Sequence, residues 1–376
     1  MCQASDVLRR VGNSDAQSPA SRPTRLPLRS DADECLILLG TAGASNPKAT
    51  RAGYSNAIVV GDAAYIVDCG EGVHRQAWRS GISMHPERRP KGGSSVRSIF
   101  FTHLHSDHVI DYINLLLGLW PTRRVDVFGP GEAGLPIAAY PADRVVAPLF
   151  PDAPTPGIRV LTQKLFEAFA YNINVRIADE ARSDVTAKVF VHEIGVAHDD
   201  YRPDIDLGVE ASGASLLTAA PPMEPIEIYP LDDNGVRVTA ILVQHAPVFP
   251  AFAYRFDTPS GSVVFSGDTG PCDNVVRIAQ GADYLVHEVI DLGFVAGRVA
   301  NFPNRDNLIN HLTESHTSAE DAGRIAARAG VKTLVLSHQV PGDSEIAEDV
   351  WESRARSEFD GSVICGVDLD QFALSK

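Results

Sequence analysis

Residues 98–108 read SIFFTHLHSDH, an apolar run that ends in three histidines and an aspartate packed into six positions. Histidine is scarce, 12 in 376 residues, so composition alone does not produce such a cluster. Imidazole nitrogen and carboxylate oxygen suit zinc, iron or manganese. A tight loop leaving a strand can aim alternate side chains at different points. His103 and His105 can then reach one ion while Asp107 and His108 reach a second. One loop supplies too few ligands, and three further candidates share a feature: each ends a strand-like apolar run. His245 ends VTAILVQ, Asp268 ends SVVFSG and His338 ends TLVLS. Polar groups at the ends of several buried strands converge on one edge of a sheet, rigidly held and open to solvent.

The rest of the pattern agrees. Short apolar runs separated by Gly, Asn and Pro read as buried strands from Cys35 onward: CLILLG, AIVV, AYIVDCG, VDVFGP, FAYRF, YLVHE. Helices lie between some of them. One is expected over 318–329, with Thr317 and Glu320 spaced as a capping box, Gly330 as its stop, and Ala322, Ile325, Ala326 and Ala329 as its apolar stripe. This order suggests two sheets covered by helices rather than a uniform βα alternation. Residues 1–33, rich in Ser, Pro, Arg and Asp, are expected to be a flexible tail, and 34–376 one domain. Within it, about 150–230 reads as an insertion covering one end of the core, with a helix at 161–173.

Hydrophobic residues make up 44% and charged residues 22%, as in a globular protein rather than a disordered one. No apolar run approaches the ~18 residues that span a bilayer, and no secretory signal is visible. Five cysteines make no disulfide framework, so reduced thiols and a cytoplasmic location are expected. The net charge of −15 repels nucleic acid and anionic membrane at long range.

HLHSDH resembles the signature of the metallo-β-lactamase superfamily. LLGTAGASNPKATRAGYSN, YIVDCGEG, QHAPVFPAFAYRF, VVFSGDTGP, LVHEV, ESHTSAEDAG and LSHQVP resemble, in order, its ribonuclease Z-like branch, and within that its arylsulfatase-like members. The likeness runs from about residue 36 to 341. It implies a four-layer αβ/βα sandwich with the site at one edge of the two sheets. Carried over by position, it implies that His103, His105 and His245 hold one metal, that Asp107, His108 and His338 hold another, and that Asp268 bridges them. Two divalent ions are implied, zinc by preference, with manganese or iron also accepted. Such a pair ionises water near neutral pH and polarises the substrate oxygen. His316 is the implied proton donor to the leaving group, with Glu288 and Asp107 as partners. Asp68 is expected to orient a ligand histidine, and glycines 40, 43, 70 and 72 to permit tight turns. His287 is expected to be buried in its strand. Histidines 74, 85, 192, 198 and 311 are assigned surface or packing roles, with His198 the one that could face the pocket.

The metals define hydrolysis without naming the substrate. The expected function is hydrolysis of small-molecule esters: aryl sulfates, phosphodiesters, lactones or carboxylic esters. The alternative is a ribonuclease Z-type tRNA 3′-processing endonuclease. A mononuclear iron relative or a dead scaffold is disfavoured by the complete ligand set. Bacterial ribonuclease Z enzymes usually carry a tRNA-gripping arm between the third-motif His and the bridging Asp, and residues 246–267 leave no room for one. Together with the acidity, this makes nucleic acid the unexpected partner. A small-molecule ester and a second copy of the chain, as a homodimer, are the expected ones, and no membrane. Leu165, Phe166, Phe169 and Tyr171 are candidates to line an apolar pocket over the metals. Lys48 and Arg51 are candidates for pairing with an anionic substrate.

Overall fold

The computed structural model describes residues 34–83, 94–135, 137–209, 220–343 and 345–374. The expected tail at 1–33 and His85 lie outside the described residues. The first sheet contains β1 (Glu34–Gly40), β2 (Ser55–Val60), β3 (Ala63–Val67), β4 (Ile82–Ser83), β5 (Ser94–Phe100), β6 (Val125–Pro130), β7 (Val189–Gly195) and β8 (Ile205–Asp206). The second contains β9 (Ile226–Tyr229), β10 (Arg237–Leu242), β11 (Phe252–Asp257), β12 (Ser262–Phe265), β13 (Tyr284–Ile290), β14 (Thr333–Val340) and β15 (Ser362–Cys365). The chain then crosses back, and β16 (Gln371–Ala373) pairs antiparallel with β1 at the edge of the first sheet.

The orders are β16-β1-β2-β3-β5-β6-β7-β8, with β4 beside β5, and β15-β14-β13-β12-β11-β10-β9. Each sheet is antiparallel in one half and parallel in the other: β3-β5-β6-β7-β8 and β12-β13-β14-β15 are the parallel runs. β2, β12 and β14 are buried along their whole length, and so they read as near-continuous apolar runs rather than alternating ones.

Three apolar layers make the sandwich. Between the sheets, Leu36, Tyr65, Phe100, Phe128, Tyr254, Phe256 and Phe265 interdigitate. Phe100 stacks on Phe128 at 5.0 Å and meets Phe256 and Tyr254 edge-on at 5.1 and 5.8 Å, joining the sheets. Outside the first sheet lie α1 (Val73–Arg79), α3 (Tyr112–Leu119) and α4 (Ile158–Ala168). Outside the second lie α6 (Asp273–Ile278), α9 (Ala319–Ala329) and α10 (Glu348–Arg356). The expected four-layer arrangement is therefore present.

Two local expectations change. The cap of α9 is Ser318, whose Oγ accepts from the Asp321 amide at 3.1 Å, while the Thr317 hydroxyl donates to the Thr269 carbonyl. Gly330 ends the helix at φ 64° as expected. The single helix expected at 161–173 is two, α4 and α5 (Ala170–Glu180), because Phe169 leaves helical geometry at φ −98°, ψ 13°. No helix among the described residues is long and apolar enough to cross a membrane.

Candidate metal centre

The HLHSDH loop leaves β5 and turns into the single-turn helix α2 (Ser106–Val109). Asp68, at the end of β3, pins this loop. It accepts from the Thr102 amide at 2.8 Å, from the Thr102 hydroxyl at 2.7 Å and from His108 Nδ1 at 2.9 Å. Asp68 holds φ 60°, a left-handed conformation that Asp tolerates better than most residues. His245 follows β10, and Asp268 follows β12. His338 does not end its strand, as the apolar run suggested, but lies inside β14 at a bulge. Ser337 pairs with Glu288 and Gln339 with Val289, and His338, at φ 46°, is left out of the ladder. The bulge re-aims the imidazole toward the site. Gly43 makes room for it, since a Cβ there would sit 2.5 Å from His338 Nδ1.

These strand ends gather the seven expected residues into two adjoining groups. His103, His105, His245 and Asp268 offer atoms within 4.8 Å of one another, as do Asp107, His108, Asp268 and His338. Asp268 belongs to both. Its Oδ1 lies 3.3 Å from His108 Nε2 and from His338 Nε2, and its Oδ2 lies 3.9 and 4.0 Å from the Nε2 atoms of His103 and His245. All seven are buried except His105 and Asp107, which are partly open.

The hydrogen bonds behind the rings fix their tautomers. The Ser315 carbonyl must accept from His245 Nδ1 (3.0 Å), so Nε2 faces the site with its lone pair. Asp68 likewise accepts from His108 Nδ1 and turns its Nε2 inward; burial opposes a charge on this ring, but Asp268 and Asp68 outweigh it and hold the imidazole well above its ordinary range. Thr102 Oγ1, whose proton goes to Asp68, accepts from His103 Nδ1, leaving His103 Nε2 with no partner among the described residues. Asp268 Oδ1 also makes no aligned hydrogen bond. Burial holds the His103 and His245 imidazoles well below their ordinary range, so they are neutral donors of lone pairs. Burial opposes a charge on Asp268, but His338 and His108 outweigh it and hold the carboxyl well below its usual range. His105 Nδ1 lies 3.2 Å from His245 Nε2, and His108 Nε2 3.2 Å from His338 Nε2. Ring nitrogens crowded around an ionised carboxylate, with His103 Nε2 and Asp268 Oδ1 left without a hydrogen bond among the described residues, fit a cation.

Beside these groups, Glu288 of β13 grips His316, at the junction of α8 (Arg305–Ser315) and α9, through Nδ1 at 2.9 Å to both carboxylate oxygens. Burial works against a charge on His316, but Glu288 outweighs it and raises the imidazole to about 9. His316 Nδ1 is 4.0 Å from Asp268 Oδ2.

Other expectations shift. His287 is buried in β13 as expected, its Nδ1 bonded to the Glu288 carbonyl. His198 stays away from the centre and stacks on Tyr201 at 5.0 Å. Lys48 and Arg51 both line a small cavity that reaches Asp107, although the Arg51 guanidinium is engaged with Thr41, Gln339 and the Gly366 carbonyl. His311 was read as a packing residue, yet its ring centroid lies 6.0 Å from His105 and His245 and 5.9 Å from His316. Leu165 and Phe166 pack on the core, while Phe169 and Tyr171 face solvent. The cavity beside the site is instead walled by Val160 and Leu161, a turn earlier.

The sandwich with a His/Asp-lined edge defines a class, the metal-dependent hydrolases of the metallo-β-lactamase fold. Residues 50–159 match the family described as Metallo-beta-lactamase superfamily, and 181–339 match the Beta-lactamase superfamily domain. The ribonuclease Z of Mycobacterium bovis (strain BCG / Pasteur 1173P2) is 31% identical over 334 residues, covering 89% of this chain and 96% of the relative. That of Mycobacterium avium (strain 104) is 32% identical over the same span and coverage. Among solved structures, human tRNase Z, short form, superposes with a TM-score of 0.52 at 18% identity, covering 91% of this chain and all of that one. The metallo-β-lactamase fold protein YhfI from Bacillus subtilis gives 0.52 at 17%, covering 90% and 98%. The chain belongs to the metallo-β-lactamase superfamily and, within it, to the ribonuclease Z family.

These relatives overturn the expectation that nucleic acid is not a partner. That expectation rested on net charge and on the missing arm between His245 and Asp268. Net charge is a sum over the whole surface, whereas an RNA backbone needs only a local complementary patch. The arm is one gripping device among several that a fold can carry.

Proposed function

We propose that this protein is a metal-dependent phosphodiesterase that cuts RNA in the manner of ribonuclease Z, with precursor tRNA as its substrate class. The observation that carries this reading is near-full-length likeness to ribonucleases Z in a chain that keeps all seven candidate ligands together. In this reading His103, His105, His245 and Asp268 hold one divalent ion, and Asp107, His108, Asp268 and His338 a second. When bound, such ions supply an ionised water at neutral pH and Lewis acidity toward the phosphate.

The remaining work falls to the protein's own side chains. Asp68 and the Ser315 carbonyl keep His108 and His245 in the tautomers that turn Nε2 inward. Ser45 Oγ donates to Asp107 at 3.3 Å and steadies the more open carboxylate. Glu288 keeps a proton on His316. With Nδ1 committed to Glu288, His316 Nε2–H is the proton offered to the departing ribose oxygen.

The test is cleavage of a precursor tRNA carrying a 3′ trailer, with product ends mapped. An aryl sulfate, an aryl ester and a lactone are assayed beside it. Cutting at the junction of tRNA and trailer, lost in Asp268→Asn, is the expected result. Turnover of the small esters with the tRNA left whole would sink the reading.

A further inference from the structure

A cavity of about 630 Å³ opens directly beside His105. That volume is in the range of small-ligand sites, about 300–1,000 Å³. Its walls come from four separated stretches: Leu104 lies within the HLHSDH loop and Val109 just after it, Leu135 and Ile137 follow β6, Val160 and Leu161 lie on α4, and Val248 and Phe249 follow His245. Apart from His105, Lys164 is the one ionisable side chain on its lining among the described residues. The Lys164 ammonium pairs with Glu167 at 2.8 Å in an open, solvent-exposed contact. Such pairs are weak and exchange readily for another anion.

The cavity touches a residue of the first ligand group, so whatever fills it is joined to the bond under attack. Its walls offer flat apolar contact and few hydrogen-bonding groups, which suits the face of an aromatic ring of any identity. The molecule as a whole carries −15, and residues 246–267 hold only β11, β12 and short turns. RNA is therefore not drawn in by a broad positive field or held by an arm at that point, and local contacts must supply the affinity. Stacking of an unpaired base on apolar and aromatic side chains is such a contact, and it tolerates sequence.

We propose that this cavity receives the unpaired nucleobase next to the scissile phosphate, with Lys164 turning from Glu167 to the neighbouring phosphate. The proposal rests on the RNA-cleaving function above and names how that substrate is held.

The experiment uses a hairpin RNA with a 3′ trailer, made intact or with the base removed from the nucleotide on either side of the cleaved bond. Losing the base on one side is expected to raise KM about tenfold or more while kcat stays within about twofold. Val160→Asp and, on an exposed loop of the same wall, Ile137→Asp are expected to raise KM for the intact RNA to the abasic value and to leave the abasic RNA unaffected. Equal KM for intact and both abasic RNAs overturns the proposal, as does an equal effect of both variants on all substrates. Should the wild-type protein cut no RNA, the proposed function falls, and the cavity is judged by equilibrium dialysis alone. Retention of adenosine 5′-monophosphate over ribose 5-phosphate, lost in Ile137→Asp, supports it. Equal retention of the two, or stronger retention of 4-nitrophenyl phosphate than of the nucleotide, overturns it.

Discussion

Asp68 touches no substrate space, yet three hydrogen bonds converge on it, one of them the bond that fixes the His108 tautomer. Replacing it by Asn keeps the size and the tolerance of φ 60° but removes an acceptor. Metal affinity is expected to fall by roughly 10–100-fold, measured by competition with a chromogenic chelator; unchanged affinity would remove Asp68 from the site's support. His316→Ala separates the roles differently. The bound metal is expected to stay, while kcat falls by about 10²–10⁴-fold as a proton donor is lost; loss of metal with activity would instead make His316 a ligand. The sequence exposes His103 through His108 because they are contiguous and rare. It names His338 as well, but not the bulge at φ 46° that aims it, since nothing in TLVLSHQV distinguishes a bulged residue from a paired one. His311 escapes for a related reason: its nearness to the centre depends on how α8 docks, which a local motif does not encode.

At the scale of elements, α9 shows what local signals carry. Its apolar stripe and the glycine that ends it are visible in the chain, because both are consequences of helix geometry. Gly330→Ala is expected to cost about 1 kcal/mol, the penalty for a Cβ in the left-handed region. A Cβ there meets nothing within 4 Å, so packing contributes nothing to the cost. Urea denaturation should show the shift with turnover unchanged, and a loss several times larger would imply that the helix end bears on the site. The break between α4 and α5 was not visible, because neither glycine nor proline marks Phe169 in LTQKLFEAFAYNI. The cavity was invisible for a stronger reason: its walls come from segments around 104–109, 130–137, 155–164 and 247–250, which only the fold brings together.

At the scale of the molecule, the two sheets share one aromatic seam and one set of candidate ligands. Phe100 stands at the middle of that seam, and Phe100→Ala is expected to cost about 3–5 kcal/mol, read from the urea midpoint. A loss under 1 kcal/mol, on the same about-3–5 scale, would mean that the seam closes over the gap. Removing metal should act globally as well. His103 and His105 follow the first sheet, while His245, Asp268 and His338 belong to the second, so one bound ion ties both. A chelator is expected to lower the melting temperature and abolish turnover, with zinc or manganese restoring both. An unmoved melting temperature would show that no ion spans the sheets. The two-sheet architecture was legible because strand-like runs and helical segments are ordered along the chain in a way that a uniform βα alternation does not produce. The likeness to ribonucleases Z stands against the substrate expected from charge, because a charge total averages over the whole surface and does not describe any one face.

The first sheet is not closed by its own half of the chain. β1 is flanked on one side by β2 and on the other by β16, which is translated after the whole second sheet. During synthesis the outer edge of β1 therefore waits, unpaired, until residues 371–373 have left the ribosome. The nascent protein can assemble most of both halves before this edge is filled, and until then the bare strand is open to capture by a chaperone or by another unfinished chain.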